Sequence, residues 1–538
     1  MVALVSLWLA GPANLPLWRA LDALPELDGP RGVVFMLALG LMIAAVVAAL
    51  LSALAWRSTL KPAIGLLLVS AAIGAHFMGT YGIVIDPTMI VNVMSTDARE
   101  TRDLLSLRLL LTVGLLAALP LWWVLRTPLA HGRWPANALN NAGGAMLGLI
   151  TVVVVGLVVY KDLSSTMRNH KTLRYLVNPL SSVYSLGRFA YAQDRRPAGP
   201  PQAIGQDART IPLLSGQHPP LLMLVVGETA RADHFSLNGY ARDTNPGLRG
   251  LEALSFTQVS SCGTNTAISL PCMFSHQGRK AHEDRGQDSE NLLDLLQHAG
   301  LAVLWIENQS GCKGVCDRIP HTRPEIPAQG ATPPEGTLCP EGECLDETLL
   351  HGLDERLRAL PGERRARGVV LVLHQMGSHG PAYAKRSPPS RKPFMPECTS
   401  AALPQCDSGS LLNAYDNSIA YTDHLLTRAI GWLQDQAGQY DPSLLYVSDH
   451  GESLGENGLY LHGVPYAVAP RTQTQVPMVA WLPAATLAAD HLDLVCLKHR
   501  LDTPLSHDHL FHTVLGLARV QTSEYRRELD VMSPCHGG

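Results

Sequence analysis

Between positions 261 and 275 the chain reads SCGTNTAISLPCMFS, five hydroxyls and two cysteines in one short stretch. Ser and Thr oxygens are weak nucleophiles until a neighbouring base or a coordinated cation helps them lose the proton. Ligands for such a cation stand elsewhere in the chain, each just after an apolar run. Glu228 follows 221–226, His374 and His379 follow 369–373, and Asp449 and His450 follow 444–447, with His462 twelve residues further on. One Glu, one Asp and several His supply the carboxylate and nitrogen donors that Zn2+ takes. A helix beginning after Asn265 would add free N–H groups that favour an oxyanion or a phosphate. On this reading Thr264, Thr266 and Ser269 all remain candidates for the reacting hydroxyl, and a Cys262–Cys272 disulfide would clamp the turn that presents it.

These residues meet only if the apolar runs are strands of one sheet. Runs 221–226, 369–373, 444–447 and 476–482 are short, apolar and rich in β-branched residues, and they alternate with helical patterns at 292–299 and 411–433. That order predicts an α/β domain with a largely parallel sheet, which binds ligands beyond the carboxyl ends of its strands. All ten cysteines lie after position 260, in close pairs: Cys262 with Cys272, Cys312 with Cys316, Cys339 with Cys344 and Cys398 with Cys406, leaving Cys496 for Cys535. An even count confined to one part of the chain fits disulfides in an oxidising compartment, and no neighbouring pair or histidines complete a four-ligand zinc set.

The first third differs in kind. Residues 32–56 carry no charge, and 62–81, 109–125 and 142–160 are further apolar runs of spanning length. The apolar start, 1–18, reads as a first span with a short lead-in, although Gly11-Pro12 interrupts it. Arg57, Lys61, Arg126 and Arg133 mark two loops as cytoplasmic, which leaves 82–107 and everything after 160 on the outer side. Residues 161–196 mix basic, aromatic and aliphatic side chains as interfacial helices do, and the Pro- and Gly-rich stretch 197–220 reads as a linker. The expected division is therefore 1–160 in the membrane, 161–220 interfacial helices and linker, and 221–538 the α/β domain. A net charge of -4 gives no sign of a nucleic-acid partner.

The motifs VVGETARADHFSLNGY, SCGTNTAISLPCMFS, HQMGSHGPAY and YVSDHGESLGENGLYLHG, in that order, resemble those of the lipid A phosphoethanolamine transferases, which include the mobile colistin-resistance enzymes. The resemblance implies five transmembrane helices followed by a periplasmic domain like alkaline phosphatase and the sulfatases, in a monomeric multi-pass protein of the bacterial inner membrane. It implies Thr266 as nucleophile, Glu228, Thr266, Asp449 and His450 as ligands of one Zn2+ or the first of two, and His379 and His462 at a second metal or phosphate position. A phosphoethanolamine pocket would match Thr264, Ser310 and Lys313. Contacts to the lipid head group would match Asn92, Thr96 and Glu100, stacked four apart on a helix face. Gln309 departs from the family pattern, standing where some relatives carry Asn. The implied reaction takes phosphoethanolamine from phosphatidylethanolamine to a phosphate of lipid A, with polymyxin and colistin resistance as its consequence.

Three other readings are weaker. Transfer to lipopolysaccharide core sugars would use the same site. A membrane sulfatase or phosphoglycerol transferase shares the fold, but a sulfatase needs Cys or Ser in C/S-x-P-x-R, whereas Ala-Ile-Ser-Leu-Pro follows Thr266. A non-catalytic envelope protein with a metal-stabilised domain would be expected to have lost a ligand or the nucleophile, and none is missing.

Overall fold

The structure is a computed structural model that describes residues 1–96, 101–102, 104–129, 132–195, 199–213, 217–324, 338–339 and 343–537. The chain divides into two compact units, one of residues 1–90 and 105–193, the other of residues 91–104 and 194–538.

In the first unit, apolar sequence becomes helix because a helix bonds every backbone N–H and C=O internally, as lipid requires. Among the described residues four helices are long and apolar enough to cross a membrane: α3 (Pro30–Ala53), α4 (Leu60–Tyr81), α6 (Leu107–Arg126) and α7 (Trp134–Val158). Leu37, Leu66, Leu110 and Leu147 face outward and are exposed, as lipid-facing positions are. Helices α3 and α7 pack through small residues, since a Cβ on Gly148 would lie 2.7 Å from the Ala45 carbonyl oxygen. The apolar start, expected as a first span, forms two short helices, α1 (Val2–Ala10) and α2 (Leu15–Asp22). Pro12 lacks the N–H needed to continue α1. Side chains bond carbonyls around the break: Asn14 Nδ2 donates to Leu9 O at 2.7 Å, and Asn178 Nδ2 donates to Ala13 O at 2.9 Å and to Ala71 O of α4 at 2.6 Å. Helix α5 (Pro87–Ser95) lies between α4 and α6 in sequence, and α8 (Tyr160–Asn169) and α9 (Leu180–Arg195) follow α7.

The second unit is built on an eight-stranded sheet: β1 (Pro220–Gly227), β2 (Leu254–Ser260), β3 (Ala302–Glu307), β4 (His321–Thr322), β5 (Val369–His374), β6 (Asp441–Ser448), β7 (Gln475–Trp481) and β8 (Leu505–Ser506). Their order is β8-β2-β7-β6-β1-β5-β3-β4. Only β7 runs against the others, antiparallel to both β2 and β6. β1, β5 and β6 are buried along their whole length, which explains the unbroken apolar runs 221–226, 369–373 and 444–447 within them. Alternate residues Leu222, Leu224 and Val226 join Val370, Val372, Leu445 and Val447 in one core. Helix α10 (Thr266–Met273) follows β2, while α11 (Leu292–His298) leads into β3 and α12 (Ser408–Asp435) into β6. Asn291 and Asp294 form a capping box on α11, and the Asp407 side chain accepts from Ser410 N at 2.9 Å on α12. All ten cysteines pair as their spacing predicted.

Register places the site. Val226 pairs with His374 and Gly227 with Ser448, so the residues leaving the ends of β1, β5 and β6 emerge side by side.

Burial of His512, with the nearby Arg526 charge adding to it, lowers its pKa from 6.5 to about 4. The folded state holds it neutral, so this stability is present above pH 6.5 and is lost as pH falls toward 4. The melting temperature of the protein should therefore fall between pH 7 and pH 5, and less steeply in His512→Asn. Parallel slopes for the two proteins would contradict the assignment.

Candidate active site

Glu228 is the first residue after β1, Asp449 and His450 are the first two after β6, and all three are fully buried. The chain turns sharply behind Glu228. Thr229 is left-handed, with φ 52°, a conformation that a β-branched residue adopts only when its surroundings force it. Three bonds impose it: Tyr415 Oη donates to Thr229 O at 2.7 Å, Thr229 N donates to Asp449 Oδ1 at 3.2 Å, and Ala230 N donates to Ser448 Oγ at 2.8 Å. Gly377 packs against the same turn, where a Cβ would lie 2.6 Å from Glu228 O.

Thr266 begins α10, and the Asn265 side chain caps that helix by accepting from Ile268 N at 3.1 Å. The Thr266 hydroxyl donates to the Glu228 carboxylate, at 3.1 Å from Oε1 and 3.0 Å from Oε2, and lies 3.4 Å from His450 Nε2. The other two candidate hydroxyls point elsewhere. Thr264 Oγ1 donates to Val464 O at 2.7 Å, and Ser269 Oγ donates to Asp449 O at 2.5 Å.

The donor set fits a divalent cation. His450 Nδ1 donates to Gly451 O at 2.9 Å, which leaves the Nε2 lone pair facing Glu228 Oε1 at 3.3 Å and Asp449 Oδ2 at 3.4 Å. Asp449 Oδ1 accepts from His450 N at 2.7 Å as well as from Thr229 N, while Oδ2 is buried with no hydrogen-bond partner. One ligand atom from each of Glu228, Asp449 and His450 lies within 4.8 Å of the others. Two carboxylates and an imidazole nitrogen gathered this closely out of water are the donor set that a divalent cation turns into ligands.

Around this centre the His462 ring lies 4.5 Å from that of His450 and 5.5 Å from that of His379. His462 Nδ1 is 3.4 Å from Glu452 Oε2, and the buried Glu452 Oε1 has no hydrogen-bond partner. Burial, followed by the charges of His462 and Arg386, holds the His379 pKa well below its ordinary value. His374 Nδ1 donates to Glu307 Oε2 at 3.0 Å. Burial works against a charge on His374, but Glu307 outweighs it and raises the pKa.

Lys313 Nζ donates to Ser310 Oγ at 2.8 Å and to Ser95 O at 3.0 Å. Gln309 Oε1 accepts from the Ser310 hydroxyl at 2.7 Å and also from its N–H. Thr96 Oγ1 donates to Asn92 O at 2.9 Å, consistent with their spacing of four, and Glu100 lies outside the described residues. Glu228, Thr266, Asp449 and His450 therefore converge, with His462 against His450 and His379 against His462. Ser310 and Lys313 form a second small group, while Thr264 is engaged by the backbone. Glu307 and Glu452 escaped the sequence reading. Glu307 is the last residue of β3, as Glu228 is the first after β1, and that position at a strand end is the signal that could have found it.

Asp449→Asn should keep Oδ1 as an acceptor for both N–H groups while removing the charged ligand. Bound divalent metal, read by elemental analysis, should fall about tenfold or more, and unchanged metal content would overturn the ligand assignment.

Residues 43–194 match the family described as phosphoethanolamine transferase EptA/EptB, and residues 220–520 match the sulfatase family. Phosphoethanolamine transferase EptA of Salmonella typhimurium is 40% identical over 99% of this chain and 96% of its own length. Phosphatidylethanolamine transferase Mcr-1 of Escherichia coli is 37% identical over 98% of this chain and 96% of its own. The solved integral membrane protein lipooligosaccharide phosphoethanolamine transferase A from Neisseria meningitidis superposes with a TM-score of 0.91 at 33% identity, covering 100% of this chain and 98% of that one.

Proposed function

We propose, since the chain belongs to the EptA/EptB family of phosphoethanolamine transferases, that it moves phosphoethanolamine from phosphatidylethanolamine to a phosphate of lipid A through Thr266. The observation that carries this reading is the Thr266 hydroxyl, which lies 3.0 Å from a buried carboxylate oxygen and 3.4 Å from His450 Nε2. Glu228, Asp449 and His450 would hold the metal, and their nitrogen and carboxylate donors suit zinc. Bound there, zinc would lower the pKa of the hydroxyl and draw charge from the phosphoryl oxygens.

Glu228 orients the hydroxyl and accepts its proton as Thr266 Oγ1 forms a bond to the phosphorus of the donor lipid. The bond from phosphorus to the diacylglycerol oxygen breaks, and diacylglycerol leaves with a proton. Thr266 then carries phosphoethanolamine as a phosphothreonine ester. In the second half an oxygen of a lipid A phosphate attacks the same phosphorus, the bond to Thr266 Oγ1 breaks, and the threonine regains its proton. His379 and His462 would donate imidazole N–H groups to the phosphoryl oxygens. The start of α10, which Thr266 opens, would add its first N–H groups to that stabilisation. Lys313, Ser310, Asn92 and Thr96 would receive the donor head group.

Both substrates are lipids, which accounts for the apolar helices. In this reading 1–160 lies in the inner membrane, 161–220 forms the interfacial and linking segment, and 221–538 works in the periplasm, where the disulfides are stable. The exposed side chains of Tyr184, Leu186 and Tyr191 on α9 suit a membrane interface. The product gains an ammonium group, and a less negative surface binds cationic peptides such as colistin more weakly.

Intact mass after incubation with phosphatidylethanolamine tests the covalent step. The wild type should gain one phosphoethanolamine group and Thr266→Ala none. Gain by both proteins would move the nucleophile elsewhere, and gain by neither with metal bound would contradict the transfer.

A further inference from the structure

His507 lies far from the catalytic motifs in sequence, in the turn after the edge strand β8, yet its side chain reaches two of them. Cys262 N donates to His507 Nδ1 at 3.0 Å, and His507 Nε2 donates to Ser448 O at 2.9 Å. Cys262 opens the disulfide-closed loop that presents Thr266, and Ser448 is the last residue of β6, immediately before Asp449 and His450. The Ser269 hydroxyl, which ties α10 to Asp449 O, lies 3.4 Å from the same Nδ1. The sheet does not make this connection itself. β2 leads into the nucleophile loop, β6 carries the ligands, and the antiparallel β7 separates them.

We propose that His507 is a positioning residue for phosphoryl transfer, its ring fixing the loop that presents Thr266 against the strand end that presents Asp449 and His450. The inference rests on the transfer reading above and adds to it the part that sets the distance between nucleophile and ligands. The two backbone partners need one acceptor and one donor, which only the neutral imidazole protonated on Nε2 supplies. The side chain is buried, and burial lowers its pKa to about 4, so it is neutral where the enzyme works.

His507→Asn keeps an acceptor near the Nδ1 position for Cys262 N but cannot reach Ser448 O. His507→Gln keeps a donor near the Nε2 position but loses the acceptor. Both are compared, in full-length detergent-solubilised protein, with wild type and with His512→Asn. His512 is buried in the same domain and bonds Arg526 N at 3.1 Å, outside the site. The readouts are kcat and KM for a fluorescent phosphatidylethanolamine donor, melting temperature and bound metal. Both His507 variants should lose kcat by about tenfold to a hundredfold, as a small misplacement of a nucleophile costs, with KM within about threefold and metal retained. His512→Asn should lower the melting temperature without lowering kcat. A His507 variant with kcat within about threefold of wild type would overturn the proposal, as would kcat losses that follow melting temperature equally in all three variants. Absence of turnover in the wild type, or full turnover in Thr266→Ala, would overturn the transfer reading itself and the proposal with it, and either shows before any His507 variant is made.

Discussion

Two carboxylates and an imidazole lone pair, all fully buried, face one another at the ends of β1 and β6. Removing such charges from water costs several kcal/mol each unless a partner compensates them. Hydrogen bonds cover Asp449 Oδ1 but not Oδ2, and the Thr266 hydroxyl donates to the Glu228 carboxylate. A divalent cation is the compensation that fits this geometry, and it would draw the same hydroxyl into its shell. In the proposed reaction this buried charge would select both the ion that binds and the oxygen that reacts.

The fold exists to hold that convergence. Parallel β1, β5 and β6 deliver their exit residues to one edge, as open α/β sheets do. The apolar runs within them are buried on both faces, and their pairing brings Val226 beside His374 and Gly227 beside Ser448. The left-handed turn at Thr229, bonded by Tyr415 of α12 and by Ser448, aims Glu228 inward. The helix of Thr266 is capped by Asn265 and tied through Ser269 to the backbone of Asp449. Thr266, Glu228, Asp449 and His450 thus share one frame, and in the proposed reaction little movement would be needed to reach the reacting geometry.

Much of this was legible in sequence because burial writes itself as unbroken apolar runs. β1, β5, β6 and β7 were read from such runs, and the ligands from the polar residues that end three of them. β2, whose sequence LSFTQVS mixes polar and apolar residues, and β3, which follows directly on a helical pattern, were not. An apolar run does not encode strand direction, so the reversal of β7 was invisible. The choice among three hydroxyls depended on partners as distant as Val464, which spacing cannot supply. At the N-terminus, hydropathy alone suggested a span, but Pro12 divides the helix. Family resemblance, not residue pattern, brought Ser310, Lys313, Asn92 and Thr96 into view.

The central claim is a metal ligated by Glu228, Asp449 and His450 with the Thr266 oxygen beside it. X-ray absorption at the metal edge of the purified protein tests it most directly. The account predicts zinc with oxygen and nitrogen neighbours at about 2.0–2.2 Å, one imidazole and no sulfur. Sulfur in the first shell, several imidazoles in place of carboxylates, or protein that binds no divalent metal when zinc is supplied would contradict it.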